Sequence, residues 1–331
     1  MKVTIFNTKP HDEQLLRGHN AAYDHEMIFI ENRLKPETAL LAERSREVCA
    51  LVNDALDSAT LEQLANGETE DVAVRCAGYH NFDLSAAKAF GIQVARVPAY
   101  SPYAAAEHAV ALLLCLNRHV HKAYNRVRER NFLIDGLMGS DVHGKMAGVI
   151  GTGIIGSIFA KIMLGFGCEV LAYDVVKNPA CIKLGINYVS LDELFSRSHA
   201  ISLPCPLLPQ THHLIGNKTL GQMRDGVFII NTSRGALIDT EAATTAIKCG
   251  RIGGLALDVY EEKSEFFFDD HSFHVIQDDV LMRLTTFPNI LITSHQAFFT
   301  REAMGNISKT TLRNLADFEA GSDYLNLIQM N

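Results

Sequence analysis

Short apolar runs alternate with stretches of helical period along this chain. Runs of four or five apolar residues bounded by turn residues read as strands, and the longer 3.6-period stretches between them read as helices. The pattern predicts strands at Val3–Phe6, Met27–Ile30, Ala50–Val52, Val72–Arg75 and Gln93–Arg96. A punctuated link, Val97-Pro98-Ala99-Tyr100-Ser101-Pro102, follows, with Ser101 and Pro102 placed as N-cap and first residue of a helix. That helix is expected from about Tyr103 to Arg130. A second series of strands begins near Gly148 and continues at Glu169–Tyr173, Ala200–Leu203, Val227–Asn231, Leu255–Val259 and Ile290–Thr293. A last helix, Arg301 to Ala320, comes after this series is complete. Strands alternating with helices imply βα units and parallel sheet. The expected fold is α/β, with two doubly wound Rossmann-like domains. The nucleotide-binding domain (101–298) is expected to be inserted into a substrate domain made of 1–100 and 299–331.

Composition narrows the functional classes. At 331 residues the chain suits two cores. Its net charge of −8 offers no basic field for nucleic acid or an anionic membrane. No apolar run reaches spanning length. The chain opens on Val3-Thr-Ile-Phe6 with no basic and apolar leader pattern. Seven scattered cysteines without CxxC spacing read as free thiols, and the expected location is the cytoplasm.

The most specific segment is Met146-Ala-Gly-Val-Ile-Gly151-Thr-Gly153-Ile154-Ile155-Gly156. An apolar strand enters a glycine-rich turn that opens a helix. Gly151 allows the turn, Gly153 admits a pyrophosphate to the backbone, and Gly156 lets the helix pack on its strand. The helix N-terminus offers unpaired N–H groups to the phosphates. The next strand delivers Asp174, whose carboxylate suits ribose hydroxyls and repels a 2′-phosphate. NAD is therefore the expected cofactor, preferred over NADP, and no metal is expected.

Four further segments lie at predicted strand ends, where ligands of a doubly wound sheet sit. Asn231-Thr232-Ser233-Arg234-Gly235 carries an arginine able to clamp a carboxylate in two places; alone it reads more readily as a helix cap or a surface pair. Ala256-Leu257-Asp258 carries an acid, and Thr293-Ser294-His295 a histidine that in isolation would read as a core residue. Leu203-Pro204-Cys205-Pro206 runs through a proline-stiffened loop to Thr211 and could wall a nicotinamide. Arginine, acid and histidine at successive strand ends would face one bound dinucleotide, which makes the three together more telling than any alone.

With these segments, and with Arg75-Cys76-Ala77-Gly78-Tyr79, Glu107-His108 and Val275-Ile-Gln-Asp-Asp279, the chain resembles the NAD-dependent D-2-hydroxyacid dehydrogenases over essentially its whole length. Within that family it is most similar to the D-lactate dehydrogenases. The resemblance implies two domains with the active site in a cleft, a homodimer or higher homo-oligomer, and a small 2-oxo or 2-hydroxy acid as the other partner. It implies reversible reduction of pyruvate to D-lactate by NADH. Arg234 would bind and polarise the 2-oxo acid, and His295 would donate the proton. Backbone at Ala77 and Gly78 would hold the carboxylate, with Tyr100 nearby. Cofactor contacts would fall on the three glycines, Ile154, Ile155, Asp174, Cys205, Pro206, Thr211, Thr232, Ser233, Arg234 and Asp258.

The chain departs from the family pattern at one place. A glutamate that pairs with the histidine is expected five residues after Asp258, and Lys263 stands there. A cation beside an imidazole lowers its pKa, the wrong direction for a proton donor. Three readings follow: Glu262 turns inward as the catalytic carboxylate, the enzyme runs without one, or the chain is a catalytically weakened NAD(H)-binding sensor. The end of the chain just after its last helix speaks against the docking tails of a sensor. His80 is a smaller departure, beside the substrate loop. A reductase of bulkier 2-oxo acids, such as phenylpyruvate, is the enzymatic alternative.

Overall fold

A computed structural model describes residues 1–79, 82–261, 267–321 and 325–329, and these divide into two compact units. The first comprises Met1–Ser101 with Phe299–Asn331, and the second Pro102–Phe298. Glu262, Lys263 and His80 lie outside the described residues.

The first unit is built on strands β1 (Lys2–Ile5), β2 (Glu26–Phe29), β3 (Glu47–Ala50), β4 (Asp71–Val74) and β5 (Gln93–Arg96). They pair in parallel in the order β2-β1-β3-β4-β5. Side chains alternate along each strand, so one sheet feeds two cores. Val72 and Val74 of β4 join Leu56, Leu61 and Phe82 on one face. Ala73 joins Val3, Ile5, Leu312, Leu315 and Phe318 on the other. The last three belong to the helix Arg301–Ala320, capped by the Thr300 hydroxyl at its start and by Gly321 at φ +59° at its end. Each such apolar side chain contributes about 1.5–3 kcal/mol by burial.

The second unit carries β6 (Met146–Ile150), β7 (Glu169–Tyr173), β8 (Asn187–Tyr188), β9 (Ala200–Ser202), β10 (Val227–Asn231), β11 (Ile252–Leu257) and β12 (Ile290–Ile292). The order is β12-β11-β10-β9-β6-β7-β8, with parallel pairing throughout. The direction of winding reverses at β6, whose neighbours are β9 and β7. That reversal opens a crevice beyond the strand's carboxyl end, and the glycine-rich turn lies there. The expected α/β class with two parallel, helix-covered sheets is what the chain forms.

Some boundaries differ from expectation. The helix expected from Tyr103 to Arg130 is two helices, Pro102–Asn117 and Val120–Arg128, broken where His119 takes φ +50°. The cause is nonlocal. Asn117 donates from Nδ2 to the Ser140 carbonyl (2.6 Å) and accepts the Ser140 N–H (3.2 Å), which ties the incoming chain across the helix end. Strand β3 begins at Glu47 rather than Ala50, because a fully buried glutamate opens it. Strand β11 begins at Ile252, ahead of the expected Leu255, and two glycines disguised its start. A side chain at Gly254 would meet the Phe228 ring at 2.6 Å.

Candidate active site

Strand β6 ends at Ile150, and Gly151 turns the chain at φ +101°, with the Cys205 backbone 2.9 Å from where a Cβ would stand. Gly156 is pressed on the Gly151 carbonyl, leaving 1.9 Å for a Cβ. These two glycines hold the helix Ile154–Gly165 against its strand. Gly153, the N-cap, is different: nothing lies within 4 Å of its absent Cβ. The backbone there faces open space at a helix N-terminus, where phosphate oxygens are favoured.

Asp174 follows β7 and closes on the turn. Its Oδ2 accepts the Thr152 N–H (2.5 Å) and hydroxyl (3.1 Å), and its Oδ1 accepts the Val176 N–H at 3.3 Å. Thr152 is itself braced, by Tyr188 Oη on its hydroxyl (2.7 Å) and Asn178 Nδ2 on its carbonyl (2.8 Å). The acid is therefore fixed beside the glycine turn. Ile154, Val175 and Val176 leave apolar side chains exposed around it. An open cradle at Gly153, a fixed carboxylate and exposed apolar surface fit a dinucleotide. Ile155 is partly buried, in the helix-packing core.

The loop after β9 places Cys205 among buried residues, where desolvation pushes its thiol up to about 11. Pro206 accepts the Thr211 hydroxyl (2.7 Å), which also accepts the Leu208 N–H (2.8 Å), so Thr211 closes this loop on itself.

Three adjacent parallel strands then present the arginine, the acid and the histidine. After β10, Asn231 braces its own turn, donating to the Arg234 carbonyl (2.8 Å) and accepting the Ser233 N–H (3.1 Å). The Arg234 guanidinium donates to the Ser233 carbonyl at 2.7 Å. Thr232 lies in the same turn, which packs so closely on the chain after β11 that a Cβ at Gly235 would fall 2.1 Å from the Tyr260 carbonyl.

After β11, Asp258 is 0% exposed and its carboxylate is turned inward. Oδ1 accepts the Thr293 hydroxyl (2.5 Å) and the Gln296 N–H (2.9 Å), and Oδ2 accepts the Ala297 N–H (2.9 Å). His108 of the helix Pro102–Asn117 brings Nε2 to 3.5 Å from Oδ1 and to 3.2 Å from the Thr293 hydroxyl. Burial would raise this carboxyl, but the bonds from His108, Thr293, Ala297 and Gln296 outweigh it and hold the pKa below the ordinary range. The Asp258 carbonyl also accepts the His295 N–H at 2.8 Å. One aspartate thus grips the segment from Thr293 to Ala297 on both sides of His295. That histidine takes φ +54°, with Phe267, Phe268 and Phe298 within 6.5 Å between ring centroids. His108, Thr293 and Asn231 were not singled out from sequence as site residues. Glu107-His108 carries a family likeness alone, and helical periodicity gives no sign of what His108 reaches.

In the first unit, the loop after β4 is set by buried Arg75, which pairs with Asp12 at 2.9 Å and donates to the Phe6 carbonyl at 2.7 Å. Arg96 donates to the Ala77 carbonyl (2.7 Å), and the Cys76 thiol donates to that of Gly78 (3.1 Å), which fixes the peptide planes of the loop. The Tyr100 carbonyl accepts Asn306 Nδ2 at 2.7 Å.

The model of the D-isomer specific 2-hydroxyacid dehydrogenase NAD binding domain matches residues 110–297. A 2-hydroxyacid dehydrogenase homolog of Schizosaccharomyces pombe is 48% identical over 332 residues, covering 100% of both chains. The D-lactate dehydrogenase of Escherichia coli is 47% identical over 97% of this chain and 98% of its own. The solved pyruvate reductase of Chlamydomonas reinhardtii superposes with a TM-score of 0.96 at 41% identity, covering 98% of each chain.

Proposed function

The chain belongs to the D-isomer specific 2-hydroxyacid dehydrogenases, NAD-dependent oxidoreductases, and from that premise we infer that its reaction is the reversible reduction of pyruvate to D-lactate. The observation that carries the reading is the presentation of Arg234, Asp258 and His295 at the ends of the neighbouring strands β10, β11 and β12, with Asp258 binding the loop that holds His295. The similarity to a D-lactate dehydrogenase and to a pyruvate reductase supports the choice of substrate.

Bound NADH supplies a hydride to the 2-oxo carbon. The Gly151–Gly156 turn would hold its pyrophosphate, Asp174 its adenosine ribose, and Cys205 and Pro206 its nicotinamide. Arg234 binds the substrate through its planar fork and stabilises the charge that builds on the carbonyl oxygen. His295 delivers the proton to that oxygen. Asp258 acts through His295, holding its backbone, and the aromatic rings around the imidazole keep water away. Ala77 and Gly78 bind the substrate carboxylate, with Tyr100 close by. Glu262 is assigned as the carboxylate that supports His295. The two units correspond to a substrate domain and a nucleotide domain.

A homodimer in a reducing cytoplasm completes the reading. Phe132, Leu133, Ile134 and Met138 are exposed in one stretch of the second unit, the kind of apolar surface that association covers. No disulfide joins any of the seven cysteines, and among the described residues no helix is long and apolar enough to cross a membrane.

Steady-state kcat/KM with NADH and NADPH against pyruvate, 2-oxobutyrate and phenylpyruvate tests the proposal. Pyruvate should be the best substrate, and NADH should surpass NADPH by at least about tenfold, or about 1.4 kcal/mol. A preference for phenylpyruvate would move the substrate to a bulkier acid. Turnover of none of them would leave a dinucleotide sensor.

A further inference from the structure

Outside the reaction site, the second unit gathers three metal-binding side chains at its surface. His212, His213 and Glu261 bring one ligand atom each to within 4.8 Å of one another. Their arrangement comes from two separate pieces of chain. The residues His212 and His213 follow the proline loop, and the His213 N–H is held by the Ala236 carbonyl at 2.8 Å with φ +50° at His213. Two residues on, Ile215 bridges to Ile238, so this strip runs beside the turn that carries Arg234. The glutamate is the third residue after Asp258.

The donors are also oriented. Glu261 Oε2 accepts both the N–H (3.0 Å) and the hydroxyl (2.7 Å) of Thr240, at the start of the helix Thr240–Lys248. That anchor leaves Oε1 directed at His213, whose Nε2 contacts it. A carboxylate with one oxygen pinned by a second set of hydrogen bonds is the usual state of a metal ligand. His212 stacks on His213 with ring centroids 4.0 Å apart and places the third donor on the solvent side. His212 is exposed, and His213 and Glu261 are partly so, which leaves room for water as a further ligand. An ion pair between His213 and Glu261 alone would be ordinary; the third donor and the Thr240 anchor set this group apart.

We propose that His212, His213 and Glu261 form a binding site for a zinc-class divalent ion, completed by water. Two imidazoles and one carboxylate are a donor set that zinc accepts in tetrahedral geometry, with ligand bonds of about 2.0–2.2 Å. Donors on such a centre lie roughly 3.4 Å apart. The site closes by parting His213 from Glu261 and drawing His212 inward, which side-chain rotation achieves on an exposed surface. A histidine ligates through a bare nitrogen, so in the bound state His213 would present Nε2 to the ion and keep its hydrogen on Nδ1, any proton displaced from Nε2 passing to water. The ion would join the strip beside the Arg234 turn to the residue that leads out of the Asp258 strand end. This inference rests on geometry that is independent of the reaction assigned above.

The test is titration of untagged, chelator-dialysed full-length protein with cobalt(II), followed by visible absorption, with zinc(II) added as competitor. The parent should show one equivalent of a four- or five-coordinate cobalt spectrum, discharged by zinc. His212→Asn changes an exposed ring, should leave the thermal midpoint in place and should weaken cobalt binding at least tenfold. Thr240→Val removes the hydroxyl anchor and should weaken it about tenfold. Cys249→Ser, at the exposed thiol, should change nothing. A parent spectrum that stays that of hydrated cobalt overturns the proposal. So does a His212→Asn protein that binds as tightly as the parent, or loss of the signal in Cys249→Ser.

Discussion

Gly153, Gly151 and Gly156 share one motif but are required for different reasons. Gly151 and Gly156 are surrounded by backbone, whereas Gly153 faces open space at φ −63°, which any residue adopts. Gly153→Ala should therefore fold with an unchanged thermal midpoint and bind NADH at least about tenfold more weakly, by fluorescence titration. Equal affinity would mean that the pyrophosphate does not approach this residue. Asp258 gives the second expectation at this scale. Asp258→Asn replaces an acceptor with a donor and leaves the Gln296 or Ala297 N–H unpaired in the interior, a cost of about 1–3 kcal/mol. Because the folded carboxyl is held below its ordinary pKa, its contribution is present above the unfolded-chain value and is lost as pH falls through the folded one. Urea midpoints of parent and variant should differ at neutral pH and converge in acid. A constant gap across that range would show that the charge on Asp258 contributes nothing.

At the scale of elements, the strands were legible in the sequence wherever apolar residues ran unbroken. Gln93–Arg96, Glu169–Tyr173 and Val227–Asn231 lie where the pattern put them, as does the helix Arg301–Ala320. Errors arose where distant contacts override local pattern: Asn117 bound to Ser140 ends a helix that periodicity would continue, and buried Glu47 begins a strand that its charge argued against. The nucleotide turn was readable because its glycines, helix and acid are close in sequence. The Asp258–Thr293–His108 cluster was not, since it joins elements 35 to 185 residues apart. The segment after Glu261 holds the departure at Lys263 and Glu262, the residue proposed as the carboxylate that supports His295. A carboxylate beside an imidazole raises its pKa. Glu262→Gln should accordingly move the descending limb of kcat/KM for pyruvate to lower pH, while Lys263→Glu leaves it nearly in place. The opposite pattern, a silent Glu262→Gln and a Lys263→Glu that raises kcat near neutrality, would show that the parent works without a carboxylate partner.

For the molecule as a whole, two parallel sheets carry separate duties, and the first holds a pH liability away from the loop of Ala77 and Gly78. Glu47 on β3 lies opposite Asp71 on β4 and is 0% exposed. Burial, and then the Asp71 and Glu319 carboxylates, push it up to about 9. An acid raised in the folded state contributes most below its unfolded pKa, and that stability is lost as pH rises toward the folded value. Each tenfold change in proton affinity between the unfolded and folded chain is worth about 1.4 kcal/mol. The thermal midpoint should fall from about pH 4.5 to about pH 9, and Glu47→Gln should flatten that fall. An unchanged slope would place the liability elsewhere. In the second unit, Asp258 accepts the backbone N–H of His295, the residue proposed as proton donor. The most direct test of that role is single-turnover oxidation of enzyme-bound NADH by pyruvate, in the parent and in His295→Ala. NADH affinity should stay within a few-fold, while the rate should fall by at least about 100-fold if His295 gives the proton. A variant that binds NADH normally and oxidises it at nearly the parent rate would contradict that role.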